Sequence, residues 1–162
     1  MREKLLAPLG MTDTTWFVEP ARRARIAEAP DNDPLKAGMW ASYRIYEDPA
    51  DASYFKGGAG LVSTSSDYVR FAQMIANGGH YEGKRYLSGP VVNFMLSNHI
   101  VGMAGGPDSS TGPGYGFGLG FGVRLATGMG VAPGWPGDAL WAGAWGTSFT
   151  IDRAEGLVAI LM

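Results

Sequence analysis

The sequence predicts an α/β fold of the α+β kind, an antiparallel sheet flanked by helices. Three observations carry this expectation. The C-terminal end reads as strand, tight reversal, strand, short turn and strand, with Phe149 and Ile151 alternating against Ser148, Thr150 and Asp152. A central stretch carries Tyr68, Phe71, Met74 and Ile75 at helical spacing. Short Gly- and Pro-rich segments separate these pieces, and strands that follow one another through tight turns pair antiparallel.

Residues 2–7 form a short helical turn ended by Pro8 and Gly10. Residues 12–15 make a turn, with Trp16, Phe17 and Val18 as an apolar anchor. Residues 19–56 carry Pro20, Pro30, Pro34 and Pro49 and no sustained period, which predicts a long irregular excursion over the surface. Loops of that length are usually lids or binding walls. Trp40, Tyr43, Tyr46, Tyr54 and Phe55 either line a pocket or pin the loop to the core. After the turn at residues 57–60, Leu61 and Val62 bury beside it.

Thr64 with Asp67 three residues on reads as a capping box, Asp standing in for Glu. The helix it opens runs from about 66 to 77 and stops at Asn77-Gly-Gly79. Glu82-Gly-Lys84 is a turn, Leu87-Ser88 caps the next segment, and 91–96 is a short helix. Residues 102–114 read as a flexible loop, 115–125 as one strand with glycine at alternate positions, and 126–137 as a second Gly/Pro loop. Asp138-Ala-Leu-Trp-Ala-Gly-Ala-Trp-Gly-Thr-Ser-Phe-Thr-Ile-Asp152 then gives a strand, a Gly-bounded reversal at 143–146 and a second strand. Residues 157–162 are apolar without a break, which predicts the middle of a sheet covered on both faces. Four consecutive strands therefore form an antiparallel meander with the helices packed on it. No domain boundary interrupts the chain.

With 162 residues the chain is long enough to bury a real core, and 46% hydrophobic against 17% charged residues is a globular balance. A net charge of −2 without a basic run argues against a nucleic-acid partner. No apolar run approaches the ~20 residues of a transmembrane helix. Zero cysteines exclude disulfides and thiolate metal ligands. The 25 glycines are about twice the usual ~7% share and sit in turns, as in a loop-rich enzyme scaffold.

Gly143 and Gly146 lack the Cβ that would keep a ligand off the backbone. A strand edge with an aromatic beside bare N–H groups is one way to bind and polarise a carbonyl. Trp141-Ala-Gly-Ala-Trp-Gly-Thr147 resembles the third motif of the serine β-lactamase/penicillin-binding-protein-like hydrolases, which is Lys-Thr-Gly, His-Thr-Gly or, in many esterases, Trp-Gly-Gly. The resemblance extends to Leu5-Leu-Ala-Pro-Leu-Gly-Met-Thr-Asp-Thr14, similar to the helix and turn after the family's second motif. It continues through Gly57-Gly-Ala-Gly-Leu-Val-Ser-Thr-Ser-Ser-Asp67 with Phe71-Ala-Gln-Met74, residues 87–95, and Gly114-Tyr-Gly-Phe-Gly-Leu-Gly-Phe121. These blocks lie in family order and touch most of the chain.

The resemblance implies a β-lactamase/transpeptidase-like fold that is incomplete. Residues 1–162 would be the C-terminal part of a single domain whose nucleophile-bearing N-terminal part and last helix are absent. It implies acyl-enzyme chemistry on a small-molecule ester or β-lactam, with no metal or organic cofactor. Trp141, Ala142, Gly143 and Trp145 would line the substrate site, and the Ala144 backbone N–H would be half of the oxyanion hole. Two departures favour esters. The family's Lys or His is Trp141 here, which removes a cation for a substrate carboxylate, and Ala142 lacks the family's Thr hydroxyl. Trp141 otherwise reads as an ordinary sheet aromatic, and Trp145 as either a gate or an exposed turn aromatic. An incomplete sheet also exposes apolar edges through which the chain could self-associate.

The family's nucleophile and base are the Ser and Lys of Ser-x-x-Lys at a helix start. The literal match here is Ser53-Tyr-Phe-Lys56, but Gly57-Gly58 follows and cannot continue a helix, and the pair lies out of family order. No Tyr-x-Asn occurs. The chain by itself is therefore expected to be inactive. The alternative is a non-catalytic sensor or interaction module that kept the fold. His80 and His99 stand at helix ends without clustered carboxylates, and no Gly-x-Ser-x-Gly elbow seats a serine for a triad. The glycine run at 114–120 fails as a dinucleotide fingerprint because position 121 is Phe.

Overall fold

The computed structural model describes residues 1–27, 30, 32–33, 57–103, 111–130 and 132–162. The chain starts with a wide helical turn, Arg2–Leu6, in which Ala7 N–H reaches the Arg2 carbonyl at 2.9 Å. It buries Leu6 and Leu9. A short 3₁₀ turn, Pro20–Arg25, follows, and Arg22 and Arg25 both pair with Asp13. Thr15 and Val62 then exchange backbone hydrogen bonds of 2.9 and 2.8 Å. The ends of the long excursion are thus held at one point. Trp40, Tyr43, Tyr46, Ser53, Tyr54, Phe55 and Lys56 lie outside the described residues.

Helix α1, Ser65–Ala76, begins where the side chain of Thr64 accepts the Asp67 N–H at 3.2 Å. The reciprocal half of the expected capping box is not made. Asp67 instead turns its carboxylate away from the helix, and its Oδ2 accepts from the Asp13 N–H at 2.7 Å and the Thr14 hydroxyl at 2.8 Å. Asp is one methylene shorter than the Glu of a capping box, and a tertiary partner takes it. Ala72, Met74 and Ile75 are fully buried on this helix, while Tyr68 and Phe71 are half-buried. Gly78 and Gly79 end it in a Schellman motif, with Gly79 N–H on the Met74 carbonyl at 2.8 Å and Gly78 N–H on that of Ile75 at 3.0 Å.

Strands β1, His80–Tyr81, and β2, Lys84–Arg85, form a two-residue hairpin. Its central Glu82 and Gly83 both have positive φ, as a type I′ turn requires. The Tyr86 hydroxyl donates to the Pro8 carbonyl at 2.7 Å and ties this hairpin to the N-terminal turn. Helix α2, Gly89–Met95, is capped by Ser88 and buries Val92.

The sheet is an antiparallel meander of five strands: β3, Tyr115–Phe117; β4, Gly122–Arg124; β5, Ala139–Ala142; β6, Ser148–Asp152; and β7, Leu157–Leu161. The expected single strand over 115–125 is two strands joined by a reversal. Gly118 N–H bonds the Phe121 carbonyl at 2.7 Å, Gly120 sits at φ +87°, and a Cβ at Gly118 would strike the Met95 carbonyl. Alternating glycines here mark a turn packed on α2, not a continuous strand. The expectation for the last strand is corrected as well. Among the described residues β7 pairs only with β6, at the sheet edge. Val158 and Ile160 are partly covered, while Leu157 and Leu161 are 57% and 61% exposed. An unbroken apolar run does not tell one covered face from two.

The core lies between one sheet face and the helices. Phe121, Val123, Ala139 and Ile151 of the sheet meet Ala72, Met74 and Ile75 of α1, Val92 and Leu96, and the N-terminal Leu6, Leu9 and Met11. Phe149 stacks at its margin with Tyr68 (5.3 Å) and Phe121 (5.9 Å). Burial raises the Tyr68 phenol above its ordinary pKa. A second buried group is polar: Arg124 and Asp138 are both 4% exposed in their side chains, with Nε 3.4 Å from Oδ2. The guanidinium also donates to the Ala132 carbonyl at 3.0 Å and the Pro133 carbonyl at 3.3 Å, and stacks on Tyr115. Asp138 accepts the Trp135 N–H at 2.8 Å. The pair thus pins the segment before β5 onto the sheet. Burial pushes the Asp138 carboxyl up, the Trp135 N–H opposes this, Asp152 adds to it and Arg124 opposes it.

Two stability predictions follow from these contacts. Asp67→Ala removes two hydrogen bonds to a buried carboxylate, leaving the Asp13 N–H without that acceptor and the Thr14 hydroxyl with Ser63 alone, and should cost about 2 kcal/mol in urea unfolding, whereas exposed Ser66→Ala should change little. Gly79→Ala combines φ +96° with a collision against the Leu87 carbonyl and should cost about 3 kcal/mol. Gly83→Ala, at φ +75° in open space, should cost only about 1 kcal/mol. Equal losses at the two glycines would contradict this packing.

Candidate functional site

The site grows from the β5–β6 hairpin. Its ladder pairs Ala139 with Ile151, Leu140 with Thr150, Trp141 with Phe149 and Ala142 with Ser148. The reversal is closed by Gly143 N–H on the Thr147 carbonyl at 2.7 Å and Gly146 N–H on the Gly143 carbonyl at 3.1 Å. Gly146 needs its glycine for φ +80°. At Gly143 the reason differs from the one expected. A Cβ there would strike the Thr147 hydroxyl, so the hairpin itself uses that space.

Trp141 is half-buried and presents its ring edge-to-face to Phe117, 5.0 Å between centroids at 68°. Phe117 is held through its backbone, its N–H on the Asn98 side chain at 3.2 Å and its carbonyl accepting the His99 N–H at 2.8 Å. Beside this pair lies a cavity of about 190 Å³ lined by Thr111, Tyr115, Gly122, Leu140, Trp141 and Ala142. Among the described residues the lining carries no charged side chain. The nearest buried cation, Arg124, is committed to Asp138, two carbonyls and the Tyr115 ring.

Of the five residues singled out in the sequence, Trp141 and Ala142 line the cavity. Gly143, Ala144 and Trp145 form the exposed reversal next to it, with Trp145 49% exposed. Among the described residues no acceptor takes the N–H of the exposed Ala144. Sequence reasoning missed Thr111, Tyr115, Gly122 and Leu140. Tyr115 and Gly122 were legible only as parts of one strand; the reversal between them pairs β3 with β4 and sets Gly122 opposite Leu140 of β5. Leu140 sits one residue before the motif and had no signal of its own.

The histidines take separate positions. His80 is half-buried on β1, and the exposed His99 ring lies against Phe94 at 4.6 Å with Nε2 2.7 Å from the Phe94 carbonyl. No described helix is long and apolar enough to cross a membrane.

Chemically, the arrangement offers a free backbone donor at a strand end and an apolar recess within a few ångströms. A carbonyl oxygen would meet the first and an uncharged substituent the second.

Comparison with known proteins agrees with this architecture. Protein Rv1367c of Mycobacterium tuberculosis is 29% identical over 170 residues, covering 99% of this chain and 41% of the relative. Among solved structures, EstCE1, described as a hydrolase with promiscuous acyltransferase activity, superposes with a TM-score of 0.67 at 21% identity over 98% of this chain and 43% of its own. Unliganded simvastatin synthase (LovD) from Aspergillus terreus gives 0.65 at 19% identity over 98% and 42%. A penicillin-binding protein homolog from Caulobacter crescentus gives 0.65 at 19% over 99% and 45%. At these identities the structures speak for the fold, and the chain spans less than half the length of each relative. The family described as Beta-lactamase matches residues 1–162 from end to end, and the chain belongs to that family.

Proposed function

We propose that this chain is the substrate-shaping, C-terminal part of a serine hydrolase that acts on a small ester in preference to a β-lactam or amide. The observation that carries the reading is the unclaimed Ala144 N–H at the end of β5, next to Trp141, Ala142 and an uncharged cavity. Membership of the beta-lactamase family and the likeness to a hydrolase with acyltransferase activity support it.

The serine is supplied by polypeptide outside residues 1–162. The one literal Ser-x-x-Lys of the sequence, Ser53-Tyr-Phe-Lys56, is followed by Gly57-Gly58, which cannot continue a helix. The serine oxygen adds to the substrate carbonyl carbon while its proton passes to a base. The carbonyl oxygen becomes an oxyanion, and the Ala144 N–H donates to it. Collapse breaks the bond to the alkoxide, which leaves with the proton as an alcohol. Water then adds to the acyl-enzyme, and the same donor holds the second oxyanion before the acid departs and the serine is restored. Trp141 and Ala142 bring no charge or hydroxyl to the wall, which is why a neutral ester suits it better than a substrate carboxylate. Gly143 and Trp145 flank the donor on the reversal.

The second reading, a non-catalytic module on the same fold, draws on the same observation that the one Ser-x-x-Lys is followed by Gly57-Gly58. A fluorophosphonate probe separates the two by intact mass. The full reading frame should gain one adduct and residues 1–162 none; a frame that gains none would favour the module. In the unlabelled full reading frame, Ala144→Pro deletes the donor without taking a bond from the hairpin. It should lower kcat for p-nitrophenyl acetate by roughly 10²–10³-fold with an unchanged melting curve.

A further inference from the structure

We propose that the cavity under Trp141 and Ala142 is the acyl subsite of this hydrolase, taking an uncharged apolar group about the size of a benzene ring, with Gly122 setting its depth. The proposal rests on the ester-hydrolase reading above and names the part of the substrate that this chain selects.

Position comes first. Ala142 lines the cavity and Ala144 carries the donor, and two residues of backbone span at most ~7 Å. A carbonyl held at the Ala144 N–H therefore has the cavity within reach of its own acyl substituent. Size comes next. The volume is about 190 Å³, and an apolar protein cavity of about 150 Å³ is enough to bind benzene. A phenyl or short branched acyl group fits.

Charge decides the class. Thr111, Tyr115, Gly122, Leu140, Trp141 and Ala142 offer no counter-ion. The Arg124 guanidinium on the Tyr115 ring is 4% exposed, donates through its two terminal nitrogens to the Ala132 and Pro133 carbonyls, and pairs with Asp138 at 3.4 Å through an Nε that has no hydrogen-bond partner among the described residues. The Tyr115 hydroxyl lies beside Gly130, where an added Cβ would stand 2.6 Å from it. A carboxylate entering this space would lose its water and gain no partner.

Gly122 is the residue that leaves the space open. A Cβ there would stand 3.3 Å from the Leu140 carbonyl, 3.5 Å from Trp141 Cε3 and 3.7 Å from Leu140 Cδ1, all of them cavity-lining residues. It has no positive φ to explain its glycine. The added carbon would project against these walls and narrow the recess.

The test uses the full reading frame, with methyl benzoate and benzoate as probes and binding read by saturation-transfer NMR. Methyl benzoate should bind at least tenfold more tightly than benzoate. Gly122→Val should weaken methyl benzoate by roughly tenfold or more, in line with the worth of a methylene or two in an apolar pocket. If that variant melts early, Gly122→Ala gives the smaller intrusion, and Leu140→Ala should admit methyl naphthoate, which the wild type excludes. Equal binding of ester and acid, or unchanged ester binding in a well-folded Gly122 variant, overturns the subsite. Fluorophosphonate labelling of the same preparation reads the parent claim separately. Labelling without ester selectivity overturns the subsite alone. Selectivity without labelling supports the cavity's preference for uncharged groups and overturns its role as the subsite of a hydrolase.

Discussion

The Asp67 carboxylate is the point at which the separate pieces of this fold are joined. It sits in the first turn of α1 and accepts from the Asp13 N–H and the Thr14 hydroxyl, which itself contacts Ser63 at 2.8 Å. One buried acceptor therefore binds the N-terminal turn, the return of the long excursion and the start of the helix that backs β6 and β7. The Thr15–Val62 bridge next to it closes the base of that excursion. Hydrogen bonds to a buried carboxylate are among the stronger local contacts, and leaving their donors unpaired is costly. The helix is consequently held at its N-terminal end by polar contacts and along its length by Ala72, Met74 and Ile75.

The two faces of the sheet are stabilised by different means. One is covered by α1 and the apolar core. On β3, β4 and the start of β5, the Arg124–Asp138 pair draws in the preceding loop through the Ala132 and Pro133 carbonyls and the Trp135 N–H. A buried ion pair contributes little net stability by itself, because desolvation offsets attraction. Its value here is positional: it fixes where the segment before β5 lies, and so fixes the register in which Trp141 reaches the cavity. Removing Asp138 would leave a buried guanidinium with a lost partner.

The candidate site is simple in composition. A hairpin end supplies the donor, a tryptophan braced by Phe117 supplies the wall, and a glycine on β4 supplies the room. The family's fold is carried by chains more than twice this length in the relatives it resembles. The division of labour proposed above follows from that fact and from the residues present. The described chain holds an unclaimed backbone donor and a recess whose described lining is uncharged.

The alternation around Phe149 and Ile151, the helical spacing from Tyr68 to Ile75, and the Thr64 and Ser88 caps were legible because they depend on neighbours in sequence. The motif at 141–147 was legible for the same reason, as a local pattern of aromatic, glycine and strand. What local pattern could not reveal depended on distant partners. Asp67 looked like a capping residue until Asp13 and Thr14 were brought beside it. Residues 115–125 looked like one strand until Gly118 met the Met95 carbonyl and turned. The last strand looked central because apolarity records attraction to a core without recording on how many sides the core lies. By itself the sequence determined helices α1 and α2, their caps and the β5–β6 hairpin, since these are set by short-range hydrogen bonding and periodicity. Only the tertiary structure decided where Asp67 is spent, which strand forms the edge, and that Tyr115 and Gly122 stand with Trp141 around one cavity, because those outcomes depend on which surfaces exclude water from one another.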